Sequence, residues 1–158
     1  MDGDERTTTM GLFNVADSYL RAAVALHSVD TRATHPETPI RFLCFHCIEL
    51  FLKAFLRANG HSVAELRGRR FGHRICCLWN RATELGVKFS DHDKAIFSWM
   101  SSTDAVIESR YIVTGYRCEP TYKDLAQTCS SVRQLIGNAL RSRNVMVRLR
   151  RSLATFFS

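Results

Sequence analysis

The segment with the highest density of reactive side chains runs from Arg67 to Arg74 and reads Arg-Gly-Arg-Arg-Phe-Gly-His-Arg. It places four arginines and one histidine directly before a predicted helix. A guanidinium group binds phosphate oxygens in a bidentate manner, and the N-terminus of a helix also favours anions. Arg67, Arg70 and His73 are therefore candidates for binding a phosphate-bearing ligand. A basic loop that is merely solvated is the alternative interpretation.

A second group of polar residues lies on a predicted helix that is apolar on nearly every other face. His46, Glu49, Lys53 and Arg57 follow one another at spacings of three, four and four, which places them on one stripe. Glu49 and Lys53 are suited to an i, i+4 ion pair, and a charge inside a bundle needs such a partner. We expect a structural pair here and retain both residues as candidate ligand-binding residues.

The cysteines favour structural thiols over metal or redox chemistry. Cys44 and Cys47 form a Cys-x-x-Cys pair, but they lie inside an apolar helix and no second pair follows at ligand spacing. Cys76 and Cys77 are adjacent, so on a helix their side chains are expected to point in different directions. The sequence contains no glycine-rich phosphate loop, Gly-x-Ser-x-Gly or His-Glu-x-x-His motif. We expect neither a metal nor a cofactor.

The composition is that of a globular domain with an excess of positive charge near its C-terminus. The chain has 158 residues, 46% of them hydrophobic, and a formal net charge of +7. Residues 131–158 contain six arginines and no acidic residue, whereas residues 1–130 contain 16 basic and 15 acidic residues. The C-terminal arginines are candidates for contact with nucleic acid or an acidic partner. A dimer surface and a plain solvated face are the alternatives. The arginines concerned are Arg141, Arg143, Arg148, Arg150 and Arg151.

Two features predict where the protein is found. No stretch reaches the roughly 18 apolar residues that a membrane span needs. The first ten residues are acidic and polar, unlike a secretory signal. We therefore expect a cytoplasmic protein with free thiols and no membrane contact.

Apolar residues recur at helical spacing along most of the chain. From residue 145 the pattern is ambiguous, because Val145, Val147 and Leu149 alternate as in a strand but also fit a continued helix, and no convincing strand pattern appears elsewhere. The predicted helices cover about 11–28, 39–59, 62–67, 73–85, 91–108 and 121–140. The predicted fold class is all-α, an up-and-down bundle of four to five main helices. We expect a disordered N-terminus over 1–10, the bundle over 11–140, and a basic extension of the last helix over 141–158.

The predicted helix boundaries rest on capping residues. Thr38 is expected to cap the second helix, with Pro39 at its first position. Ser62-Val-Ala-Glu is a capping box, and Ser90 precedes acids in the first turn of the next long helix. Thr121 opens the last helix, while the periodicity fails over 110–118.

One stretch of the sequence resembles a known family. The resemblance begins at Ile48-Glu-Leu-Phe-Leu-Lys-Ala-Phe-Leu-Arg-Ala-Asn-Gly60 and continues through Ser62-Val-Ala-Glu-Leu-Arg67. The next matching residues are Gly72-His73, Leu78, Ala82 and Gly86. The resemblance ends near Glu108-Ser-Arg-Tyr111. In this order and spacing the chain resembles the bacterial HEPN-domain proteins over residues 12–140, most specifically over 48–111.

The resemblance implies a helical bundle that often forms a homodimer. Members of the family work in toxin–antitoxin, abortive-infection and other defence systems, often beside a nucleotidyltransferase. Active members are metal-independent ribonucleases that use an arginine, a spacer of roughly four to six residues and a histidine. The arginine binds the scissile phosphate, and the histidine takes the proton of the 2′-hydroxyl.

This sequence departs from that motif at the histidine. Arg110 occupies the position of the family's arginine, but Tyr116 stands where a histidine is acceptable, and no histidine follows His92. Tyrosine, with an ordinary pKa of about 10, is a poor general base at neutral pH. The motif therefore does not imply nuclease activity. Arg110 stays a candidate catalytic residue, and Tyr111 and Tyr116 are candidate ligand contacts.

Three functions remain open. The first is a non-catalytic HEPN-like module that binds RNA, a nucleotide or a partner protein, such as a nucleotidyltransferase or an antitoxin. The second is a metal-independent ribonuclease with a rearranged site, in which His73 acts with Arg67, Arg70 or Arg110 and with the ion pair of the central helix. The third is a dimeric scaffold without a ligand, in which His73 and the ion pair only stabilise the bundle.

Overall fold

The computed structural model describes residues 6–108, 111 and 118–143, and over these residues the chain is all-helical, without a strand. This confirms the predicted all-α fold class. None of the described helices is long and apolar enough to cross a lipid bilayer. Seven helices follow one another: α1 (Thr9–His27), α2 (Glu37–Ala58), α3 (Val63–Arg67), α4 (Ile75–Glu84), α5 (Asp91–Ser102), α6 (Ala105–Glu108) and α7 (Tyr122–Arg141).

Helix α2 lies at the centre of the bundle, where it packs against α1, α4 and α7. Its sequence is apolar nearly all round, because it has neighbours on several sides. Phe51, Leu52 and Phe55 are completely buried on it, together with Leu20 of α1 and Ile136 of α7. Any polar side chain that α2 presents inward must therefore find its partners inside the bundle.

The predicted capping residues begin three of the helices. The hydroxyl of Ser62 accepts a hydrogen bond from the backbone amide of Glu65, and the Glu65 carboxylate accepts one from the Ser62 amide. The same reciprocal pairs begin α5 at Ser90 and α7 at Thr121. These bonds satisfy amides that have no partner within a helix.

Two helix starts lie earlier than predicted. Helix α2 begins at Glu37, with Pro36 rather than Thr38 at its N-cap. Pro39 is accommodated in the first turn, where its missing amide hydrogen costs no intrahelical bond. Helix α1 begins at Thr9, so residues 9 and 10 are helical rather than part of a disordered N-terminus. Residues 1–5 lie outside the described part of the chain.

The single helix predicted over 91–108 is broken after Ser102. The hydroxyls of Ser102 and Thr103 both donate to the carbonyl of Trp99, which competes with continued backbone pairing. Asp104 then adopts a left-handed conformation with φ of 45°, and α6 starts at the next residue. The last helix also stops early, because Ser142 is the C-cap of α7. A helical extension over 141–158 is therefore wrong at residues 142–143, and residues 144–158 lie outside the described range.

Substitution Thr121→Ala tests the importance of the α7 capping box. It removes the hydroxyl that accepts from the Asp124 amide, so we expect a loss of about 1 kcal/mol in the free energy of unfolding. For a domain of this size, Tm should fall by about 2–4 °C in a calorimetric scan. Ser18→Ala is the control, since its hydroxyl only donates to the Asn14 carbonyl on an exposed helix face. An equal Tm for Thr121→Ala and the wild type would contradict the prediction.

Candidate functional site

The carboxylate of Glu49 is the centre of a polar cluster in the middle of α2. Its side chain is 1% exposed. The Lys53 ammonium lies 2.5 Å from Oε1, and Nδ1 of His73 lies 3.1 Å from Oε2. Nδ1 of His46 lies 3.6 Å from the same Oε2 atom. The predicted Glu49–Lys53 ion pair is thus confirmed, and His73 joins it from a distant part of the chain.

His73 reaches Glu49 because it belongs to a loop and not to a helix. Helix α4 was predicted to begin at His73 but begins at Ile75. The loop folds on itself through a 2.8 Å hydrogen bond from the Gly72 amide to the Gly68 carbonyl. Gly72 has φ of +21°, and a Cβ there would lie 3.2 Å from that carbonyl oxygen, so a glycine is favoured. This tight turn directs the next residue toward α2.

Phe71 attaches the same loop to the core. Its ring is 2% exposed and packs edge-on against the ring of His61, with the ring centroids 5.2 Å apart. The Arg70 guanidinium lies over the outer side of the Phe71 ring, 5.2 Å from its centroid. An apolar contact at Phe71 and a polar contact at His73 therefore fix the loop at two neighbouring points.

His46 completes the cluster from the side of α1. Its ring stacks on Phe42 and meets Tyr19 edge-on, with centroid distances of 5.7 and 4.8 Å. Arg57, the fourth residue of the predicted stripe, lies apart from the cluster. Its guanidinium donates to the backbone carbonyls of Thr7 and His61. The stripe therefore divides into a carboxylate cluster and a separate backbone contact.

The pKa of Glu49 reflects opposing effects. Burial alone raises the pKa, because a charged carboxylate loses its hydration. The nearby His46 ring, the hydrogen bonds from Lys53 and His73, and the positive charge of Lys53 lower it, and together they prevail, so the pKa falls from 4.5 to about 2. Glu49 is consequently ionised at neutral pH and acts as a hydrogen-bond acceptor for its neighbours.

The contact with Glu49 determines which nitrogen of His73 is available to a ligand. A carboxylate accepts a hydrogen bond, so Nδ1 must carry the proton. In the neutral ring Nε2 is then a free acceptor, and no described group hydrogen-bonds to it. The side chain is 39% exposed. A carboxylate–imidazole pair of this kind orients histidines that act as general bases or bind ligands.

Four arginines surround His73 in the sequence, and none of them forms an ion pair with a described residue, although the charge of Arg70 acts on the nearby Glu65 carboxylate. Arg67, Arg69, Arg70 and Arg74 are exposed. Within the described residues, no carboxylate lies within ion-pair distance of any of them. Arg74 is also the N-cap of α4, and its side chain makes no cap hydrogen bond. We call residues 67–74 the basic loop.

Other predicted site residues are placed elsewhere. Tyr111 is 70% exposed. Arg141 hydrogen-bonds to the Asn138 side chain. Arg143 hydrogen-bonds to the Asn59 side chain and lies over the Phe55 ring, 5.1 Å from its centroid, so it packs on the C-terminal end of α2. The remaining candidates lie outside the described residues and stay predictions: Arg110, Tyr116, Arg148, Arg150 and Arg151.

The buried cysteines have the structural role expected of them. Cys44, Cys47 and Cys129 are fully buried between α2 and α7, and Cys129 Sγ lies 3.5 Å from the Cys44 carbonyl oxygen. Burial raises the pKa of the Cys47 and Cys129 thiols. The described residues contain no group of three or more side chains that could hold a metal ion.

The expectation for Cys76 and Cys77 is wrong. Their sulfurs do not point apart but approach to 3.8 Å at the start of α4. Both thiols are partly exposed. Residues one apart on a helix differ by about 100° in direction, but a Cys side chain can still rotate its sulfur back toward its neighbour.

No protein-family model, curated protein or solved structure gives a significant match to this chain. The resemblance to the HEPN-domain proteins therefore stays a prediction, and function has to be argued from the cluster and the basic loop.

Substitution Glu49→Gln tests the electrostatic role of the cluster. Because the pKa of Glu49 is lowered from 4.5 to about 2, its ionised form stabilises the fold above pH 4.5, and this contribution is lost as the pH falls toward 2. We expect the variant to be less stable by about 3 kcal/mol at pH 7, with the difference shrinking at low pH. Urea unfolding of the variant and the wild type at pH 7, 5 and 3 measures this difference in the free energy of unfolding.

The matched control for that experiment is Glu84→Gln. Glu84 pairs with Arg81 at 2.8 Å on the surface, where an ion pair contributes little. We expect its urea midpoint to match the wild type at every pH. The role assigned to Glu49 would be contradicted if Glu49→Gln lowered the free energy of unfolding no more than Glu84→Gln does. It would also be contradicted if the loss of stability in Glu49→Gln grew toward pH 3.

Proposed function

We propose that this chain is a HEPN-like helical module that binds RNA through the basic loop, without the cleavage motif of the family's ribonucleases. The observation that carries the proposal is the set of four unpaired arginines around His73, whose ring is oriented by the buried Glu49 carboxylate. Guanidinium groups bind phosphates, and an oriented imidazole adds one directed hydrogen bond. The resemblance supplies the setting, a bacterial defence or toxin–antitoxin system.

Three arginines elsewhere in the fold differ from those of the basic loop because they form ion pairs. Arg133 pairs with Asp17 at 2.5 Å, and Arg21 pairs with the same carboxylate at 2.7 Å. Arg41 pairs with Glu119. These arginines form ion pairs within the chain, whereas those of the basic loop form none with the described residues. A concentration of positive charge without ion-pair partners on one loop supports binding of a polyanion.

Free nucleotides, partner proteins and a second copy of the chain are further binding partners that the resemblance implies. RNA is favoured over a free nucleotide because the arginines are distributed over eight residues of the chain, which suits successive phosphates of a backbone. It is favoured over an apolar partner because the exposed side chains of the basic loop are charged. The homodimer and a nucleotidyltransferase or antitoxin partner remain proposals that rest on the resemblance.

One observation favours a second function, metal-independent RNA cleavage. The Glu49–His73 geometry leaves Nε2 of His73 as a proton acceptor, which is what removal of the 2′-hydroxyl proton requires. Arg67 or Arg70 would then bind the scissile phosphate and stabilise its developing charge.

RNA binding is tested with a labelled single-stranded oligoribonucleotide by fluorescence anisotropy. With about three phosphate contacts, the Kd should rise about 10- to 20-fold between 50 and 200 mM salt. The double variant Arg67→Glu/Arg70→Glu should weaken binding by at least about tenfold and flatten the salt dependence. Arg32→Glu is the control, since this exposed arginine precedes the N-terminal end of α2. The proposal would be contradicted if Arg67→Glu/Arg70→Glu and Arg32→Glu bound the RNA with equal Kd. It would also be contradicted if the wild type did not bind at low salt.

RNA cleavage is tested in the presence of EDTA. The second function predicts that the wild type cleaves and that His73→Ala reduces the rate by about 100-fold, the low end for loss of a general base. His35→Ala, which alters an exposed loop histidine, should cleave like the wild type. Intact RNA with the wild type would exclude cleavage while leaving the binding proposal to the anisotropy measurement.

A further inference from the structure

The ring of His73 is held by the fold at one nitrogen and is available to a ligand at the other. Nδ1 lies 3.1 Å from Oε2 of the buried Glu49 carboxylate, and the side chain is 39% exposed. No described group hydrogen-bonds to Nε2. Because Nε2 lies across the ring from Nδ1, it is directed away from Glu49 and can meet a ligand that binds to the basic loop.

The protonation state of His73 decides which ligand atom Nε2 can bind. The oxygens of a phosphodiester only accept hydrogen bonds, and Nε2 of the neutral ring also only accepts, because the proton is on Nδ1. Contact with a phosphate therefore requires a second proton on the ring, which makes His73 an imidazolium with a donor at each nitrogen. The hydrogen bond to Glu49 is the same in both forms, so the ring can gain this proton without changing its position.

The charges around His73 link this proton to the ligand. The Glu49 carboxylate favours the imidazolium, whereas the Lys53 ammonium and the arginines of the basic loop oppose it by like charge. A phosphate backbone on the basic loop brings negative charge and removes much of that opposition. Proton uptake and RNA binding therefore favour each other.

Other titratable groups also lie near His73. His46 of α2 approaches the same Glu49 oxygen at 3.6 Å, and α4 contributes the Cys76 and Cys77 thiols close by in the sequence. Glu49 stays ionised in weak acid, because its pKa is lowered to about 2. Lysine, arginine and cysteine side chains ordinarily titrate above about pH 8. Between pH 5.5 and 7.5, histidines are therefore the groups whose charge changes.

We infer, on the basis of the proposed RNA binding, that His73 binds a phosphodiester oxygen as an imidazolium, with Nε2 as the donor and a proton taken up from the solvent. No covalent bond is made or broken except the new N–H bond. The complex then carries a fifth positive charge on the basic loop, beside those of its four arginines. The affinity for RNA should consequently increase as the pH falls.

The 2′-hydroxyl of RNA is the competing ligand for Nε2. A hydroxyl can donate to the neutral ring, so a contact of this kind would weaken as the pH falls and would be lost with DNA. The phosphate is favoured because the arginines beside His73 are themselves suited to phosphates.

The inference is tested by fluorescence anisotropy with a labelled oligouridylate at pH 5.5, 6.5 and 7.5 and constant low salt. Neither uracil nor a phosphodiester changes charge in this range, so a linked proton belongs to the protein. The Kd of the wild type should rise about tenfold from pH 5.5 to 7.5, because a hydrogen bond from a charged group contributes roughly tenfold in affinity. An oligodeoxyuridylate should show the same rise.

Two variants isolate the contribution of His73. His73→Gln keeps an uncharged N–H donor, so its Kd should change no more than about twofold over the same pH range. His35→Ala alters an exposed loop histidine and should behave like the wild type. A wild-type Kd that is constant or falls toward pH 7.5, or an equal pH dependence in His73→Gln, overturns the inference and leaves RNA binding in place. Absence of wild-type binding at pH 5.5 overturns the proposed function, and the inference with it.

A second measurement counts the proton directly. Calorimetric titrations with the oligouridylate at pH 6.5 are compared in PIPES and Bis-Tris, two buffers that differ in ionisation enthalpy. The wild type should take up more protons than His73→Gln on binding, and the difference should not exceed one. Equal uptake by the two proteins, or proton release by the wild type, overturns the inference.

Discussion

The buried carboxylate of Glu49 is the interaction on which the candidate site depends. An ionised group in the middle of an apolar helix loses its hydration, and that loss must be offset by partners inside the bundle. Lys53 provides one from the same helix, and His73 provides another from a loop 24 residues away in the sequence. The requirement to hydrogen-bond one buried carboxylate thus helps to fix the position of a surface loop.

This arrangement changes the interpretation of the net charge. Residues 1–130 contain 16 basic and 15 acidic residues and look balanced, yet four of the basic residues lie in the basic loop, which contains no acid. The other residues of this segment carry three more acidic than basic groups, so the local excess is hidden in the total. Arg141 and Arg143 hydrogen-bond to the side chains of Asn138 and Asn59, which are neutral amides and leave both charges in place.

The helices and their starts at Ser62, Ser90 and Thr121 were predictable because periodicity and capping are local properties of the sequence. The Glu49–Lys53 pair was predictable for the same reason, since its spacing of four is set by one helix. The contact of His73 with Glu49 was not, because it depends on a turn that ends before α4 begins. The sulfur positions of Cys76 and Cys77 depend on side-chain rotation, on which helical periodicity has no bearing.

The claim that Glu49 orients His73 is tested most directly by the imidazole ¹⁵N NMR spectrum of His73, recorded at a pH where the ring is neutral. We predict a protonated Nδ1 and an unprotonated Nε2, because the Glu49 carboxylate accepts from Nδ1. A ring protonated at Nε2, with the same spectrum in the wild type and in Glu49→Gln, would contradict that claim.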